Sequence, residues 1–355
     1  MLSNATLTAA LTESPIFIVG PGRSGTTLLR SMLSAHSRIS ITPEMQYMQW
    51  VDEREDVRKA PIDFESFWKE YTSWVRFADL GVDADRCLAL TDLQGDRTFE
   101  NIFRAVLTAY LERTGKARVG EKSPSHVRYI GTLLEWFPDA RILIMLRDPR
   151  AVVSSQLETP YVQERITETS LRRGHFVASR MREIVRYADD WSTIFENLLP
   201  QWEKDPRTRI LAYEALVHEP ETQVRSVCDF LGETYEDCML TGRREASVPT
   251  PAGTTSSFQL EQWRRSHHAQ TLRPVSTDSL DKWNQSLSKL EVEIVEARCI
   301  DGMRERGYQP STSAAKRFEG QLLSTAFLAA ERTEFQARQV FKSIRGLLTS
   351  ARLAS

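Results

Sequence analysis

The chain has 355 residues, of which 41% are hydrophobic and 26% are charged. These proportions are typical of a folded globular protein and exclude a chain that is disordered throughout. The formal net charge of −2 lacks the basic excess of a general nucleic-acid-binding protein, so nucleic acid is not an expected partner.

The N-terminal residues, the apolar runs and the cysteines bear on the compartment. The first 22 residues contain no Lys or Arg, and no apolar run approaches the ~20 residues of a membrane span. The cysteines have no CxxC spacing and no Cys/His cluster suggests zinc, so we expect free thiols and no metal site. We therefore predict a cytoplasmic protein.

The predicted elements begin with an apolar run at 15–20 that ends in glycine, a pattern typical of a buried strand in a parallel sheet. A helix is predicted over 26–35 and a short strand over 39–41. Residues 45–115 are predicted to be mostly helical and are rich in Trp and Phe. Such aromatic residues can bind an apolar or sugar ligand, but they are more often core.

Further along the chain, predicted strands and helices alternate. The strands are predicted at 117–120, 141–146 and 208–212, the helices at 127–137, 172–200, 219–231, 278–290 and 291–306, and a long Ser/Thr/Pro-rich loop at 243–276. This alternation predicts an α/β fold of three layers, with a central parallel sheet flanked by helices.

The last segment, 311–355, is predicted to be an amphipathic helical extension that follows a main domain at 1–310. It holds seven Lys or Arg residues and three Asp or Glu residues beside an apolar stripe. A basic amphipathic helix can lie on a membrane surface. It can equally pack on its own domain or form a homodimer, and we favour packing or dimerisation.

The segment from Gly20 to Thr27, Gly-Pro-Gly-Arg-Ser-Gly-Thr-Thr, lies between the first strand and the first helix. Its glycines, Gly22 among them, let the backbone turn tightly, and the helix start offers free N–H groups to an anion. The spacing fits a P-loop, but Thr26 replaces the Lys of that motif and the cation is Arg23. The loop is therefore poorly suited to ATP and suits a shorter anion; a glycine-rich turn without a ligand is the alternative.

A second segment runs from the predicted strand at 141–146 into a helix. Asp148 is a favoured helix N-cap and Pro149 is favoured at the first helical position. Arg147 lies at the carboxyl end of the strand, where open α/β sheets bind ligands. An Arg fork with the hydroxyl of Ser155, eight residues on, suits a phosphate dianion, although a capped helix with a surface Arg is the alternative.

These two segments, Gly-Arg-Ser-Gly-Thr-Thr-Leu-Leu and Leu-Arg-Asp-Pro-Arg-Ala-Val-Val-Ser-Ser, resemble the PAPS-dependent sulfotransferase superfamily (PAPS is 3′-phosphoadenosine 5′-phosphosulfate). The resemblance includes Gly120-Glu-Lys-Ser-Pro124, covers about 15–310, and is nearest to bacterial, tyrosylprotein and heparan sulfotransferases. It implies transfer of a sulfuryl group from PAPS to a hydroxyl or amine, without a metal. The acceptor would be an unidentified small molecule, carbohydrate or peptide, with 45–115 on the acceptor side.

The resemblance also implies the roles of individual residues. The 5′-phosphosulfate would be held by the loop residues Gly22, Arg23, Ser24, Gly25, Thr26 and Thr27. Arg147 and Ser155 would hold the 3′-phosphate, and Lys122 would reach the bridging oxygen. Tyr213 would lie near the adenine and Lys282 would close over the nucleotide, although a structural or solvated role is the alternative for these two.

The general base is assigned by the resemblance to Glu44, with His36 and His126 as alternatives. Thr42-Pro43-Glu44 also fits a helix start, which would make Glu44 a first-turn carboxylate. In the implied reaction the base takes the acceptor proton while Lys122 and Arg23 stabilise the leaving phosphate. Two rival functions remain at this point, a P-loop nucleotide kinase and a non-catalytic module that binds PAPS or the bisphosphate.

Overall fold

The computed structural model describes residues 14–173, 176–241 and 275–329. Five parallel strands form one sheet in the order β2-β3-β1-β4-β5. Their bounds are Ile16–Val19 (β1), Ile39–Ile41 (β2), Arg118–Lys122 (β3), Arg141–Leu146 (β4) and Thr208–Ala212 (β5). The predicted α/β class with a central parallel sheet is confirmed.

Helices cover both faces of this sheet. The helices up to β4 are α1 (Thr26–Ala35), α2 (Tyr47–Asp52), α3 (Phe64–Ser73), α4 (Val75–Ala78), α5 (Ala84–Leu93), α6 (Phe99–Thr114), a 3₁₀ turn (Pro124–Tyr129) and α7 (Ile130–Trp136). Between β4 and β5 lie α8 (Pro149–Leu157), α9 (Pro160–Arg173), α10 (Phe176–Ser192) and a π-helical turn (Thr193–Leu198). The rest are α11 (Tyr213–His218), α12 (Pro220–Leu231), α13 (Cys238–Thr241), a 3₁₀ turn (Thr277–Ser279), α14 (Trp283–Ser286), α15 (Lys289–Glu305) and α16 (314–329).

The central strand β1 shows why the fold has three layers. All four of its residues are fully buried, and they alternate between two hydrophobic clusters. Phe17 and Val19 join the larger cluster on one face of the sheet, whereas Ile16 and Ile18 join the smaller one that includes Leu29. A continuous apolar run is required because neither face of this strand meets water.

The aromatic residues of the insertion between β2 and β3 form part of the larger core. Trp50, Phe67 and Tyr71 are each no more than 6% exposed. The ring of Trp50 packs on those of Phe67, Tyr71 and Trp74 at centroid distances of 5.4–5.5 Å. The interpretation of this cluster as core is confirmed.

Several predicted elements differ from the structure. The strand predicted over 117–120 is Arg118–Lys122, and the helix predicted over 127–137 is a 3₁₀ turn that ends at Tyr129, followed by α7. The helix predicted over 172–200 is a shorter α10, preceded by the separate helix α9, and Arg165 of α9 is ion-paired with Glu183 of α10. The helix predicted over 278–290 is a 3₁₀ turn followed by the four residues of α14.

The helix α16 packs on α15 of its own domain. A Cβ atom at Gly320 would lie 2.8 Å from backbone atoms of Glu293, so the two helix backbones are in close contact. Ser324 is fully buried, while Phe318 and Leu322 remain 65% and 54% exposed. No helix in the described ranges is long and apolar enough to cross a membrane. The rest of the predicted extension, 330–355, and nearly all of the predicted loop at 243–276 lie outside the described residues.

Candidate active site

The carboxyl ends of all five strands carry residues that the sequence analysis selected. Across the sheet from β2 to β5, these are Glu44, Lys122, Arg23, Arg147 and Tyr213. Arg23 belongs to the segment from Gly20 to Thr27, which we call the phosphate loop. Neighbouring strands lie about 4.8 Å apart, so four spacings give an edge of roughly 19 Å. The residues therefore form a row whose order could not be read from their order in the sequence.

The phosphate loop turns through backbone conformations that glycine favours. Gly20 and Gly25 have φ angles of +139° and +91°, and Arg23 also has a positive φ of +71°. Gly25 caps α1, so the free N–H groups of that helix start face the end of the sheet. Among the described residues, the buried Ser24 Oγ has no hydrogen-bond partner, which leaves a donor available to an anion.

The two segments that were predicted to bind anions are hydrogen-bonded to each other. Arg23 Nε donates to Ser155 Oγ at 3.0 Å, and one terminal nitrogen of Arg147 donates to the Arg23 carbonyl at 2.9 Å. Arg147 Nε is buried and, in the part of the chain that the structure describes, has no partner. Arg23, Arg147 and the Ser155 hydroxyl therefore lie together beyond the carboxyl ends of β1 and β4, and Ser24 is next to Arg23 in the chain. Their charge and donors suit a dianionic ligand.

Tyr213 closes the β5 end of this row. Its ring lies under the Arg147 guanidinium, 4.4 Å from centroid to carbon, and a Cβ atom at Gly25 would lie 2.3 Å from the same ring. Its hydroxyl is 2.7 Å from Ser279 Oγ, and the Ser279 carbonyl accepts a 2.8 Å hydrogen bond from Arg147. The side chain of Lys282 is exposed at the start of α14. Ser279, which the sequence analysis missed, thus contacts both Arg147 and Tyr213.

At the opposite end, Glu44 and Lys122 form an ion pair. Lys122 Nζ donates to Glu44 Oε2 at 2.7 Å, and the side chains are 4% and 24% exposed. Gln46 Nε2 donates to Glu44 Oε1 at 2.6 Å, and Arg76 of α4 lies 3.7 Å from the same oxygen. The interpretation of Glu44 as a helix-start residue is wrong, because 42–46 are extended or irregular and α2 begins only at Tyr47.

The pKa of the Glu44 carboxyl is shifted well below its ordinary range. Burial works in the opposite direction, but the charges of Lys122 and Arg76 outweigh it, and hydrogen bonds from Lys122 and Gln46 add to the shift. Glu44 is consequently a carboxylate over the whole physiological pH range. Sequence reasoning missed Arg76 and Gln46, and only Gln46 carried a signal, its position two residues after Glu44.

The two histidines considered as bases are both buried and engaged. His36 lies at the far end of α1, where its Nδ1 accepts from the Arg38 N–H and its Nε2 is 2.9 Å from the Thr234 carbonyl. His126 Nε2 accepts a 3.2 Å hydrogen bond from the Met48 N–H, and its Nδ1 lies 3.1 Å from Glu121 Oε2. Within the described ranges, neither ring makes a hydrogen bond to Glu44 or Lys122.

The phosphate loop lacks the Lys of a P-loop and is hydrogen-bonded to Arg147 and Ser155 at the end of a parallel sheet. The sequence analysis related this combination to the sulfotransferases, and comparisons with known proteins give the same class of enzyme. The profile of the sulfotransferase family matches residues 15–237, more than half of the chain. The protein belongs to this family and is an enzyme of the transferase class.

Named relatives are similar over most of the chain. Protein-tyrosine sulfotransferase A of Caenorhabditis elegans is 25% identical over 301 residues, which cover 84% of this chain and 68% of that protein. Protein-tyrosine sulfotransferase of Drosophila melanogaster is 27% identical, covering 76% of this chain and 46% of that protein. The omega-hydroxy-beta-dihydromenaquinone-9 sulfotransferase Stf3 of Mycobacterium bovis is 26% identical, covering 70% and 71%. Among solved structures, the sulfotransferase domain from the curacin biosynthetic pathway has a TM-score of 0.50 at 20% identity, covering 83% of this chain and 98% of that one, and it shows the shared fold.

Proposed function

We propose that this sulfotransferase uses PAPS as its donor and transfers the sulfuryl group to a hydroxyl or an amine, with release of adenosine 3′,5′-bisphosphate. The observation that carries the proposal is the row of residues at the carboxyl ends of the five strands. An anion site built from Arg23, Ser155 and Arg147 lies at its centre, and the Glu44–Lys122 ion pair lies at one end.

The anion site fits a nucleotide that carries phosphate at two positions. The phosphate loop would hold the 5′-phosphosulfate through its N–H groups and the hydroxyl of Ser24. Arg147 and Ser155 would hold the 3′-phosphate, and the buried Arg147 Nε would gain the hydrogen-bond partner that the described residues do not provide. Tyr213 and Ser279 would complete the nucleotide end of the row.

The ion pair supplies the two charges that the transfer requires. The acceptor oxygen attacks sulfur, and the bond between sulfur and the bridging oxygen breaks with its electron pair on the leaving phosphate. Lys122, with Arg23, would stabilise that negative charge, while the Glu44 carboxylate would take the acceptor proton. When Lys122 turns from Glu44 towards the phosphosulfate, Glu44 loses the partner that most lowers its pKa and becomes a stronger base.

The names of two relatives support a hydroxyl acceptor. As their names state, one acts on protein tyrosine and another on omega-hydroxy-beta-dihydromenaquinone-9. A phenol and an alcohol both need a base to remove the proton before attack on sulfur. A peptide or small molecule with an accessible hydroxyl is therefore the acceptor class that we propose.

The test uses the donor and its product directly. We expect adenosine 3′,5′-bisphosphate to stabilise the protein against heat without magnesium, by about 2.7 kcal/mol at a hundredfold excess over its Kd. We expect radiolabelled sulfuryl from PAPS to enter a component of a host-cell extract, which then identifies the acceptor. Stabilisation by ATP with magnesium and none by the bisphosphate would instead support the nucleotide kinase.

A further inference from the structure

The segment that follows Glu44 is anchored by three buried side chains from the end of β3 and from the chain directly after it. They are Glu121, Ser123 and His126, each 0% exposed, and they come from the run that surrounds Lys122. None of them reaches the ion pair itself. Buried polar groups are costly unless they are hydrogen-bonded, so their partners show what they hold in place.

Their partners are three backbone N–H groups of the turn after Glu44. The Met45 N–H lies 3.4 Å from Glu121 Oε1, the Gln46 N–H donates to Ser123 Oγ at 2.7 Å, and the Met48 N–H donates to His126 Nε2 at 3.2 Å. Ser123 Oγ in turn donates to Glu121 Oε1.

The proton of His126 is placed by these contacts. Because Nε2 accepts from a backbone N–H, the imidazole proton is on Nδ1, which lies 3.1 Å from Glu121 Oε2. Among the described residues, neither Nδ1 nor this carboxylate oxygen makes a hydrogen bond, so the attraction between the N–H and the carboxylate is electrostatic.

The anchored turn has a backbone conformation that a non-glycine residue rarely adopts. Gln46 has a φ of +53°, and its side chain donates to Glu44. A left-handed residue other than glycine persists only where its surroundings hold it. The three anchors therefore fix both the backbone after Glu44 and the Gln46 side chain that orients the carboxylate.

We propose that His126, with Glu121 and Ser123, is a positioning residue that holds Glu44 in its reactive place by anchoring the 45–48 turn. This inference rests on the proposed function only for its catalytic consequence. Strand β3 thus contributes to the reaction twice, once through Lys122 and once through the turn that carries its partner.

A pair of His126 variants separates the anchor from the bulk of the ring. His126→Asn keeps a polar group near Nδ1 but removes the acceptor of the Met48 N–H, whereas His126→Gln can return an acceptor oxygen near the Nε2 position. His36→Asn is the matched control, because His36 is also buried with both ring nitrogens engaged but lies at the far end of α1.

The first measurement is hydrogen exchange of the peptide that covers 43–50. We expect its amides to exchange about tenfold faster in His126→Asn, the scale of one lost hydrogen bond, and close to the wild-type rate in His126→Gln and His36→Asn. Exchange in His126→Asn at the wild-type rate would overturn the proposed anchor.

The second measurement is the initial rate of label transfer from PAPS into the extract, as a function of pH. Displacement of Glu44 by about 1 Å should slow His126→Asn by up to about 10²-fold, with bisphosphate affinity retained and most of the rate recovered in His126→Gln. The groups facing Glu44 are Lys122, Arg76 and Arg23, and a looser contact with these cations raises the Glu44 pKa. The acidic limb of the rate profile should therefore move to higher pH in His126→Asn alone.

The two proposals fail differently. A wild-type protein that transfers no label contradicts the proposed function, while the exchange experiment still decides whether His126 anchors the turn. Transfer by the wild type together with an unchanged rate and pH profile in His126→Asn would refute the positioning role.

Discussion

Replacing Lys122 by methionine removes a charge while keeping most of the apolar stem. Loss of one partner of a buried ion pair costs about 3–5 kcal/mol when the other charge is left buried. Here Glu44 remains 24% exposed and keeps Arg76 at 3.7 Å, so hydration and a second cation offset part of that loss. We therefore expect Lys122→Met to lower the free energy of unfolding by about 1–3 kcal/mol, the scale of one charged hydrogen bond.

The effect on turnover should be larger than the effect on stability. The leaving oxygen gains negative charge only as the S–O bond breaks, so Lys122 contributes mainly in the transition state. Loss of one preorganised charge donor predicts a fall in kcat of about 10²–10³-fold. Urea unfolding, bisphosphate titration and initial rates of sulfuryl transfer measure the three quantities separately.

Lys116→Met is the matched control for this variant. Lys116 is a partly buried lysine whose Nζ donates to the carbonyls of Ser34, His36 and Ile39 at 2.7–2.9 Å, away from the sheet edge that carries the ion pair. It should lose stability and keep kcat. A Lys122→Met enzyme with normal kcat and only a raised KM would refute the assigned role, and equal kcat losses in both variants would point to general destabilisation.

Three further substitutions test the rest of the row. Arg147→Ala should weaken PAPS binding by about 2–3 kcal/mol and weaken a donor without the 3′-phosphate far less, in parallel titrations; equal losses would make Arg147 structural. Glu44→Gln should bind the bisphosphate and lose at least about 10²-fold in kcat; turnover within a few-fold of wild type would remove Glu44 as the base. The low pKa of the Glu44 carboxyl stabilises the wild type above pH 4.5, the ordinary pKa of Glu, and this stabilisation is lost in acid. The free energy of unfolding of Glu44→Gln should therefore fall less steeply in acid than that of the wild type. Gly25→Ala should place a methyl group 2.3 Å from the Tyr213 ring and lower bisphosphate affinity, whereas Gly95→Ala, at a similarly positive φ with nothing within 4 Å, should lose stability alone in the same titration.

The sequence predicted the structure best where that structure depends on residues close together in the chain. The phosphate loop and the Asp148 cap were predictable because a buried strand, a turn and a helix start follow one another within about a dozen residues. The Asp148 side chain accepts from the Arg150 N–H, as its N-cap prediction requires.

The features that could not be predicted depend on contacts between segments that are distant in the sequence. The strand order places β3 between β2 and β1, and no local pattern encodes this arrangement. The strand predicted at 117–120 stopped short of Glu121 and Lys122 because these residues are charged, yet all five residues of β3 are buried. Arg118 is accommodated by carbonyl oxygens of Ser14 and Leu231, at 2.6 Å each, which lie far away in sequence. Ser279 was missed for the same reason, because its neighbours in the sequence carry no motif.

The helical insertion from α2 to α6 joins β2 to β3, the two strands whose ends carry Glu44 and Lys122. The strands that carry the nucleotide end of the row, β1, β4 and β5, are connected by other parts of the chain. On the proposed reaction, residues of this one insertion can therefore be exchanged to suit a new acceptor while the nucleotide end keeps its geometry. A chimera that receives the corresponding insertion of a relative should inherit that relative's choice of acceptor along with it, provided that the 45–48 turn and Arg76 are kept.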